Sequence, residues 1–326
     1  MKIIVTGGAG YIGAITVSEL LKKGFEVGVI DTLENGYYKN IPKKVNFFKG
    51  NIQNVNFLEK VFSEFKPKVI IHLASYSLVE ESFKNPLKYY KNNLGGSYSL
   101  FSTAIKKGVE FLVFSSSCSV YGIPNLVPII EASPTNPINP YGETKLAIEK
   151  MLKWFGLKYR LKSICLRYFN VAGASLDGLL GENHSPETHL IPNIFKSALR
   201  EEEVLIFGDN YKTEDSTCIR DYVHPVDLAE AHILSINDLV KSNKCFRVYN
   251  VGSGRGYSNG EIVQETEKLL NKKIQVKYCK KRKGDPPILI ANTEKIRKEL
   301  GFKPRYSDLQ TIFKTHWKWC ENNDKI

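Results

Sequence analysis

The sequence lacks the features by which membrane proteins, disulfide-stabilised proteins and zinc proteins are usually recognised. No apolar stretch of the 326-residue chain is long enough to cross a bilayer. Its six cysteines are far apart and form no C-x-x-C pair, which argues against a disulfide framework and against a zinc site. A strand pattern begins at the first residues, with no signal peptide before it, so we expect a cytoplasmic protein. Because the cysteine spacing argues against a zinc site, we also expect no bound metal.

Acidic residues are scarce relative to basic ones. The chain has 46 Lys and Arg against 34 Asp and Glu, a formal net charge of +12. Such an excess raises the question of nucleic acid, but the lysines are spread along the chain and only residues 280–283 form a dense cluster. We therefore interpret most of them as solvated surface groups and expect neither nucleic acid nor a membrane as partner. A small anionic substrate would use a few of these cations.

The chain does contain a glycine-rich turn near its N-terminus, at residues 5–13. A short β-branched run precedes the turn and an amphipathic helix pattern follows it. The glycines allow positive φ and a close approach of backbone to a ligand, and the N-terminus of the helix favours a pyrophosphate. The next apolar run ends in Asp31, whose carboxylate suits the ribose 2′-hydroxyl of NAD and would repel the 2′-phosphate of NADP. The sequence therefore predicts an NAD site, with glycines Gly7, Gly10 and Gly13.

Strand and helix patterns alternate through the first half of the chain. Repeated β-α-β units predict an α/β fold with a doubly wound parallel sheet of the Rossmann type, which binds its ligand at the carboxyl ends of the strands. From about residue 170 the pattern loosens. We predict an NAD-binding Rossmann domain at residues 1–169 and a smaller mixed α/β substrate lobe at residues 170–326, with residues 226–250 returning to the Rossmann sheet.

A second motif lies in the middle of the chain. Tyr141 and Lys145 are four positions apart, on one face of a helix that Pro140 is suited to begin. A lysine ammonium beside a tyrosine, with NAD⁺ nearby, lowers the tyrosine pKa from about 10. The phenolate can then take a hydroxyl proton as hydride leaves the same carbon. Ser117, at the end of a predicted strand, can share the hydrogen bond to the substrate.

These residues resemble the extended short-chain dehydrogenase/reductases, and within them the UDP-sugar 4-epimerase group. The likeness covers nearly the whole chain, because later segments match the epimerase group as well. The resemblance implies NAD-dependent interconversion of UDP-galactose and UDP-glucose through C4 oxidation to a 4-keto intermediate, rotation and re-reduction, as in galactose metabolism. It also implies a tightly bound NAD that is regenerated at each turnover, and a homodimer. The matching segments are residues 7–13, 115–117, 121–122, 141–145, 167–170, 205–209, 213–215, 220–224 and 282–285.

The resemblance also implies roles for individual residues. Tyr141 is the base for the 4-hydroxyl, Lys145 holds the ribose and tunes Tyr141, and Ser117 assists. The cofactor site consists of Gly7, Gly10, Tyr11, Ile12, Gly13, Asp31, Asn51, Ile52, Leu73, Ala74, Asn93, Ser115, Tyr141, Lys145 and Tyr168. The substrate site adds Asn170, Arg220 and Arg282 at the diphosphate, Leu205 and Phe207 at the uracil, Asp285 at the uridine ribose, and His189, Leu190 and Leu289.

Several alternatives stay open on the sequence. Leu289 leaves more room at the sugar pocket than a tyrosine, so UDP-N-acetylhexosamines are possible substrates, as are pentose or uronate UDP-sugars. A 4,6-dehydratase would place an Asp-Glu pair where Cys118 and Ser119 stand. A decarboxylase or a reductase fits the same fold. A non-catalytic nucleotide sensor would be expected to lose Tyr141 or Lys145, and both are present. Asn51 replaces the aspartate usual near the adenine, but its oxygen can still accept a hydrogen bond.

Overall fold

The computed structural model describes residues 1–282 and 285–323. Its strands are β1 (Lys2–Thr6), β2 (Glu26–Asp31), β3 (Asn46–Lys49), β4 (Val69–His72), β5 (Phe111–Ser117), β6 (Lys162–Tyr168), β7 (Asn170–Val171), β8 (Val204–Phe207), β9 (Ile219–Val223), β10 (Phe246–Val251), β11 (Gly256–Ser258), β12 (Val276–Cys279) and β13 (Ile288–Leu289). Its helices are α1 (Tyr11–Lys22), α2 (Val55–Phe65), α3 (Val79–Lys84), α4 (Pro86–Tyr89), α5 (Gly96–Lys106), α6 (Pro140–Tyr159), α7 (Leu190–Arg200), α8 (Pro225–Lys241), α9 (Asn259–Leu270), α10 (Glu294–Leu300) and α11 (Leu309–Asn322).

Seven strands form one parallel sheet in the order β10-β6-β5-β4-β1-β2-β3. Alternate residues of a strand point to opposite faces, and on β1 Ile3 and Val5 pack into one core while Ile4 packs into the other. The first core includes apolar residues of α1, α8 and α10, and the second includes those of α2, α5 and α6. The predicted doubly wound parallel sheet is therefore confirmed.

The chain leaves this sheet after β6 and returns to it later, where β10 forms the edge strand beside β6. Helix α8 packs against α1, and strand β10 pairs in parallel with β6, Phe246 opposite Ser163. This edge strand, β10, therefore comes from the second half of the chain. The division into domains at residues 169 and 170 stays a prediction.

The second lobe is built from short strands and three helices. Strands β11, β9 and β13 form a small sheet, β7 pairs with β9, and β8 pairs with β12. Side chains of α7, α9 and α11 cover these strands in a third core. The described helices include none that is long and apolar enough to span a membrane.

Candidate active site

A cavity of about 1490 Å³ lies at the carboxyl ends of the strands of the large sheet. The loops after β1, β2, β4 and β5 line it from below, and residues of the second lobe line it from above. Sheets of this kind bind their ligands at the point where the strand order reverses, which here is between β1 and β4. All the residues predicted to bind cofactor or substrate line this cavity, except Asn93.

The glycine turn is shaped for a close approach of a ligand to the backbone. Gly7 has φ +73°, and a Cβ there would lie 2.7 Å from the amide nitrogen of Ala74. A Cβ on Gly13 would lie 2.0 Å from the carbonyl oxygen of Gly7. Helix α1 begins at Tyr11 after Gly10, and no side chain of the described residues caps it. Its first amides are therefore available to an anion, as the pyrophosphate of a dinucleotide requires.

Asp31 lies beside the turn at the end of β2. Its Oδ2 accepts a hydrogen bond from the Ala9 amide at 3.0 Å, and its Oδ1 accepts one from the Leu33 amide at 2.8 Å. These bonds fix the carboxylate and leave it lone pairs for a ribose hydroxyl. Asn51 also lines the cavity, and its Oδ1 accepts from the Gln53 amide at 2.8 Å.

Asn93 is buried behind the cavity wall. Its Oδ1 accepts from the Tyr76 amide at 2.9 Å, and its Nδ2 donates to the Tyr76 carbonyl at 3.0 Å. Asn93 therefore holds the segment after β4 in place. Tyr76, which this bonding positions, lines the cavity and was not among the predicted site residues.

Helix α6 brings the proposed base and its lysine to the end of β5. Asn139 caps the first turn of the helix. Lys145 is buried, donates through Nζ to the Ser115 carbonyl at 2.7 Å, and lies 5.6 Å from the centre of the Tyr141 ring. Ser117 ends β5 and hydrogen-bonds to Tyr141. The three residues predicted to be catalytic are therefore adjacent.

Burial shifts both ionisable groups of this arrangement. It raises the pKa of Tyr141 to about 12, against the opposing effect of the hydrogen bond with Ser117. It also lowers the pKa of Lys145 from 10.5 to about 7. The expected lowering of the Tyr141 pKa is therefore not found in the chain alone, because desolvation outweighs the neighbouring groups. A positive charge bound beside Tyr141 would act in the opposite direction and favour the phenolate.

The low pKa of Lys145 predicts that this residue destabilises the cofactor-free protein. Because the folded-state pKa lies below the unfolded one, the unfolded state binds more protons between pH 7 and about 10.5, and stability rises with pH there. We expect Lys145→Met to raise the melting temperature of NAD-free protein by a few degrees at pH 6, and by less at pH 9.5. Thermal denaturation at the two pH values tests this.

The matched control is Lys150→Met, which removes an exposed lysine from the same helix. It should leave the melting temperature nearly unchanged at both pH values. A Lys145→Met protein that melts at or below the wild-type temperature at pH 6 would contradict the burial argument.

Strand β9 and the segment before β13 supply the cationic part of the cavity. Arg220 is buried, pairs through Nη2 with Asp285, and donates through Nη1 to the Ile219 carbonyl at 2.9 Å. The Arg282 guanidinium lies 4.1 Å from the centre of the Phe207 ring. Both arginines keep N–H groups for phosphate oxygens. Lys283 and Gly284, which the resemblance also covers, lie outside the described residues.

A cluster of two carboxylates and two imidazoles lies beside His189. Nδ1 of His189 contacts the buried Glu182 carboxylate, and Nδ1 of His184 lies 3.0 Å from the same oxygen. The Glu182 charge raises the pKa of His189 to about 10, against the effect of burial, so His189 is a cation at neutral pH. The possible ligand atoms of Glu182, His184, Glu187 and His189 lie within 4.8 Å of one another. Because His189 already pairs with Glu182, we interpret the cluster as an ion-pair network, which the sequence reasoning missed.

The positions that would carry a dehydratase acid and base offer neither. Cys118 begins the short turn after β5, and burial raises the pKa of its thiol to about 12. It is therefore neutral at physiological pH. Ser119 donates its amide to the Ser117 hydroxyl at 3.1 Å. This geometry favours simple hydride and proton transfer over elimination of water.

Comparisons with known proteins agree with this arrangement. Residues 3–252 match the NAD dependent epimerase/dehydratase family. A UDP-glucose 4-epimerase from Lactobacillus helveticus is 46% identical over 326 residues, covering 100% of this chain and 98% of that protein. The crystal structure of a UDP-glucose 4-epimerase from Brucella ovis in complex with NAD has a TM-score of 0.93 and 41% identity, covering 98% of each chain. That of the Bifidobacterium longum enzyme in complex with NAD⁺ and UDP has a TM-score of 0.94 and 35% identity, covering 100% of this chain and 99% of that one. The chain therefore belongs to the UDP-glucose 4-epimerases of this family, enzymes with NAD as cofactor.

Proposed function

We propose that the enzyme interconverts UDP-galactose and UDP-glucose by oxidising C4 of the hexose to a ketone and reducing it again from the other face. The observation that carries this proposal is the meeting of Tyr141, Ser117 and Lys145 in the same cavity as the glycine turn. When bound, NAD accepts the hydride and returns it. The cavity thus holds, side by side, a dinucleotide site and a proton acceptor for a carbinol.

The chain itself handles the proton. Oη of Tyr141 takes the proton of the 4-hydroxyl, and the Ser117 hydroxyl holds the same oxygen in line with it. Lys145 is anchored on the Ser115 carbonyl, so its ammonium keeps a fixed place beside the phenol. When the ketone is reduced, Tyr141 returns the proton to the new 4-hydroxyl. The two half-reactions use the same groups, and there is no net redox change.

Inversion requires a firmly held nucleotide and a sugar that can turn. Arg220 and Arg282 bind the diphosphate, because arginine forks match phosphate oxygens. Leu205 and Phe207 cover the uracil. In the structure Arg220 pairs with Asp285, and this pair fixes the side chain proposed to reach the uridine ribose. The complex of the B. longum relative with NAD⁺ and UDP supports a nucleotide in this cavity.

Incubation of purified protein with UDP-galactose, without added NAD, tests the proposal. We expect UDP-glucose to appear without accumulation of NADH, and denatured protein to release NAD. A stable keto sugar would indicate a dehydratase instead. NADH formed in proportion to the sugar would indicate a dehydrogenase, and the absence of any conversion would indicate a nucleotide sensor.

We also propose that UDP-N-acetylhexosamines are substrates. Leu289 is on β13 and lies opposite Arg220 of β9. It lines the cavity and belongs to a buried cluster with Cys118, Tyr121 and Phe169. A larger side chain there would take space from a substituted sugar.

At saturating concentration we expect UDP-N-acetylglucosamine to be converted. Leu289→Tyr should lower the ratio of its turnover to that of UDP-galactose by at least about tenfold, a typical effect of pocket size. Chromatography of the two reactions provides the measurement. No conversion of UDP-N-acetylglucosamine by the wild-type protein would remove the proposal.

We further propose a homodimer formed through α5 and α6. Both helices expose large apolar side chains, with Tyr98 on α5 58% exposed and Trp154 and Leu157 on α6 68% and 61% exposed. Helices α5 and α6 pack on the same core of the large sheet, and a contiguous patch of such exposed side chains would form an interaction surface.

The double variant Tyr98→Glu, Trp154→Glu should sediment as a monomer where the wild-type protein sediments as a dimer, because two buried charges would oppose association. Leu179→Glu serves as the control, since Leu179 is 65% exposed in the other lobe. A double variant that remains dimeric would place the interface elsewhere.

A further inference from the structure

Two segments that line the cavity are joined by a contact to which the proposed reaction gives no role. The Tyr76 hydroxyl donates to the Glu34 carboxylate and lies 2.8 Å from each of its oxygens. Glu34 belongs to the segment after β2, and Tyr76 to the segment after β4. Burial and the Glu34 carboxylate raise the pKa of Tyr76 to about 12, so its hydroxyl stays a donor at neutral pH.

The sheet order determines what this contact crosses. Strand β1 lies between β2 and β4, and β2 and β4 are therefore about 10 Å apart. The contact between Tyr76 and Glu34 passes over the carboxyl end of β1, where the glycine turn and the start of α1 lie. Gly7, Gly10 and Tyr11 line the same cavity as the two partners. A pyrophosphate bound on the first amides of α1 would thus lie beneath the bridge.

The two residues of this contact, Tyr76 and Glu34, are restrained to different extents by their neighbours. On one side, Asn93 bonds both backbone groups of Tyr76, and Nζ of Lys88 lies 3.9 Å from the centre of its ring. On the other side, Glu34 is exposed, and its amide makes one bond, 3.3 Å long, to the Thr32 hydroxyl.

The residue before Glu34, Leu33, has φ +64°, a left-handed conformation that is uncommon for leucine. The Leu33 amide is held by Asp31 Oδ1 at 2.8 Å, so the exposed side chain of Glu34 is the less restrained partner and Tyr76 the more firmly held one.

We propose that Tyr76 and Glu34 form a clasp that retains bound NAD by slowing its release. The two residues act on retention and take no part in the chemistry at C4. Retention matters for the proposed function, on which this benefit rests, because a reduced cofactor lost between the half-reactions would leave the keto sugar without its hydride. The clasp also gives Asn93 a place in the cofactor site, as the residue that positions Tyr76.

Release of NAD from the loaded protein tests the clasp directly. Protein loaded with radiolabelled NAD is mixed with excess unlabelled NAD, and the label remaining on the protein is followed in time. We expect Tyr76→Phe and Glu34→Ala each to release NAD about tenfold faster than the wild type. The double variant should be no faster than either single variant, because both changes remove the same interaction.

Tyr38→Phe is the matched control, since it removes the hydroxyl of an exposed tyrosine four residues beyond Glu34. It should release NAD at the wild-type rate. Wild-type release from both single variants would overturn the clasp, and so would faster release from Tyr76→Phe alone, which would mean that Tyr76 contacts NAD without Glu34.

A turnover assay separates retention from chemistry. Lost epimerase turnover in Tyr76→Phe should recover when NAD is added in excess, and a loss that persists at saturating NAD would also overturn the proposal. The release experiment contains no sugar. A wild-type protein that retained NAD but failed to convert UDP-galactose would therefore refute the proposed function and leave the clasp standing.

Discussion

Replacing Tyr141 with phenylalanine is expected to lower the turnover of UDP-galactose by about 10³-fold, within the range typical of a lost general base. The variant keeps the ring and loses only the hydroxyl. In the proposed mechanism Ser117 would still contact the 4-hydroxyl, but a serine hydroxyl is not ionised at neutral pH and cannot accept the proton. Burial raises the Tyr141 pKa to about 12 in the chain alone, and a positive charge bound beside the phenol would favour its ionised form.

Initial rates with UDP-galactose, together with the NAD content of the denatured protein, test this expectation. Tyr159→Phe is the matched control, because it removes an exposed hydroxyl from the far end of the same helix. Tyr159→Phe should keep the wild-type rate, and both variants should retain NAD. An undiminished rate in Tyr141→Phe would mean that another group takes the proton.

The sequence predicted the parts of the site that depend on local spacing. Tyr141 and Lys145 are one helical turn apart wherever their helix lies, and the glycine turn follows directly from a strand and precedes a helix. The rule that parallel sheets bind ligands at the carboxyl ends of their strands then brought Asp31 and Ser117 to the same edge. The predicted parallel sheet is confirmed by the seven parallel strands of the structure.

Contacts between distant segments were beyond reach. Tyr76 and Glu34 are in contact because the strands that precede them, β4 and β2, lie on either side of β1 in the sheet. The proposed role of Asn93 depends on that contact. The strands β7 and β13 have two residues each, too few to show an alternating pattern. The raised pKa of Tyr141 in the chain alone could not be predicted for a related reason, since burial is a property of the packed fold.

Gly13→Ala is expected to abolish NAD binding and, with it, turnover. The new methyl group would lie 2.0 Å from the Gly7 carbonyl oxygen, 2.8 Å from the Gly7 carbonyl carbon and 2.8 Å from Gly8 Cα. These atoms belong to the backbone of the turn, so a side-chain rotation cannot relieve the overlap. The turn must open, and the first amides of α1 lose their place. We expect NAD in the purified variant to fall below about a tenth of the wild-type content and turnover to fall at least about 10²-fold, the scale of a misplaced reactant.

Two other glycines separate the possible causes of such a loss. Gly95→Ala, in the helical segment before α5, places its methyl 3.8 Å from the nearest carbonyl oxygen and should keep both NAD and activity. Gly10→Ala meets only the Gly7 carbonyl, at 3.5 Å, so the turn itself tolerates it. NAD lost from Gly10→Ala would then report contact of the methyl with the ligand, whereas loss from Gly13→Ala reports distortion of the turn. If Gly13→Ala retained NAD and turnover with an unchanged circular dichroism spectrum, the glycine turn would not be the pyrophosphate site.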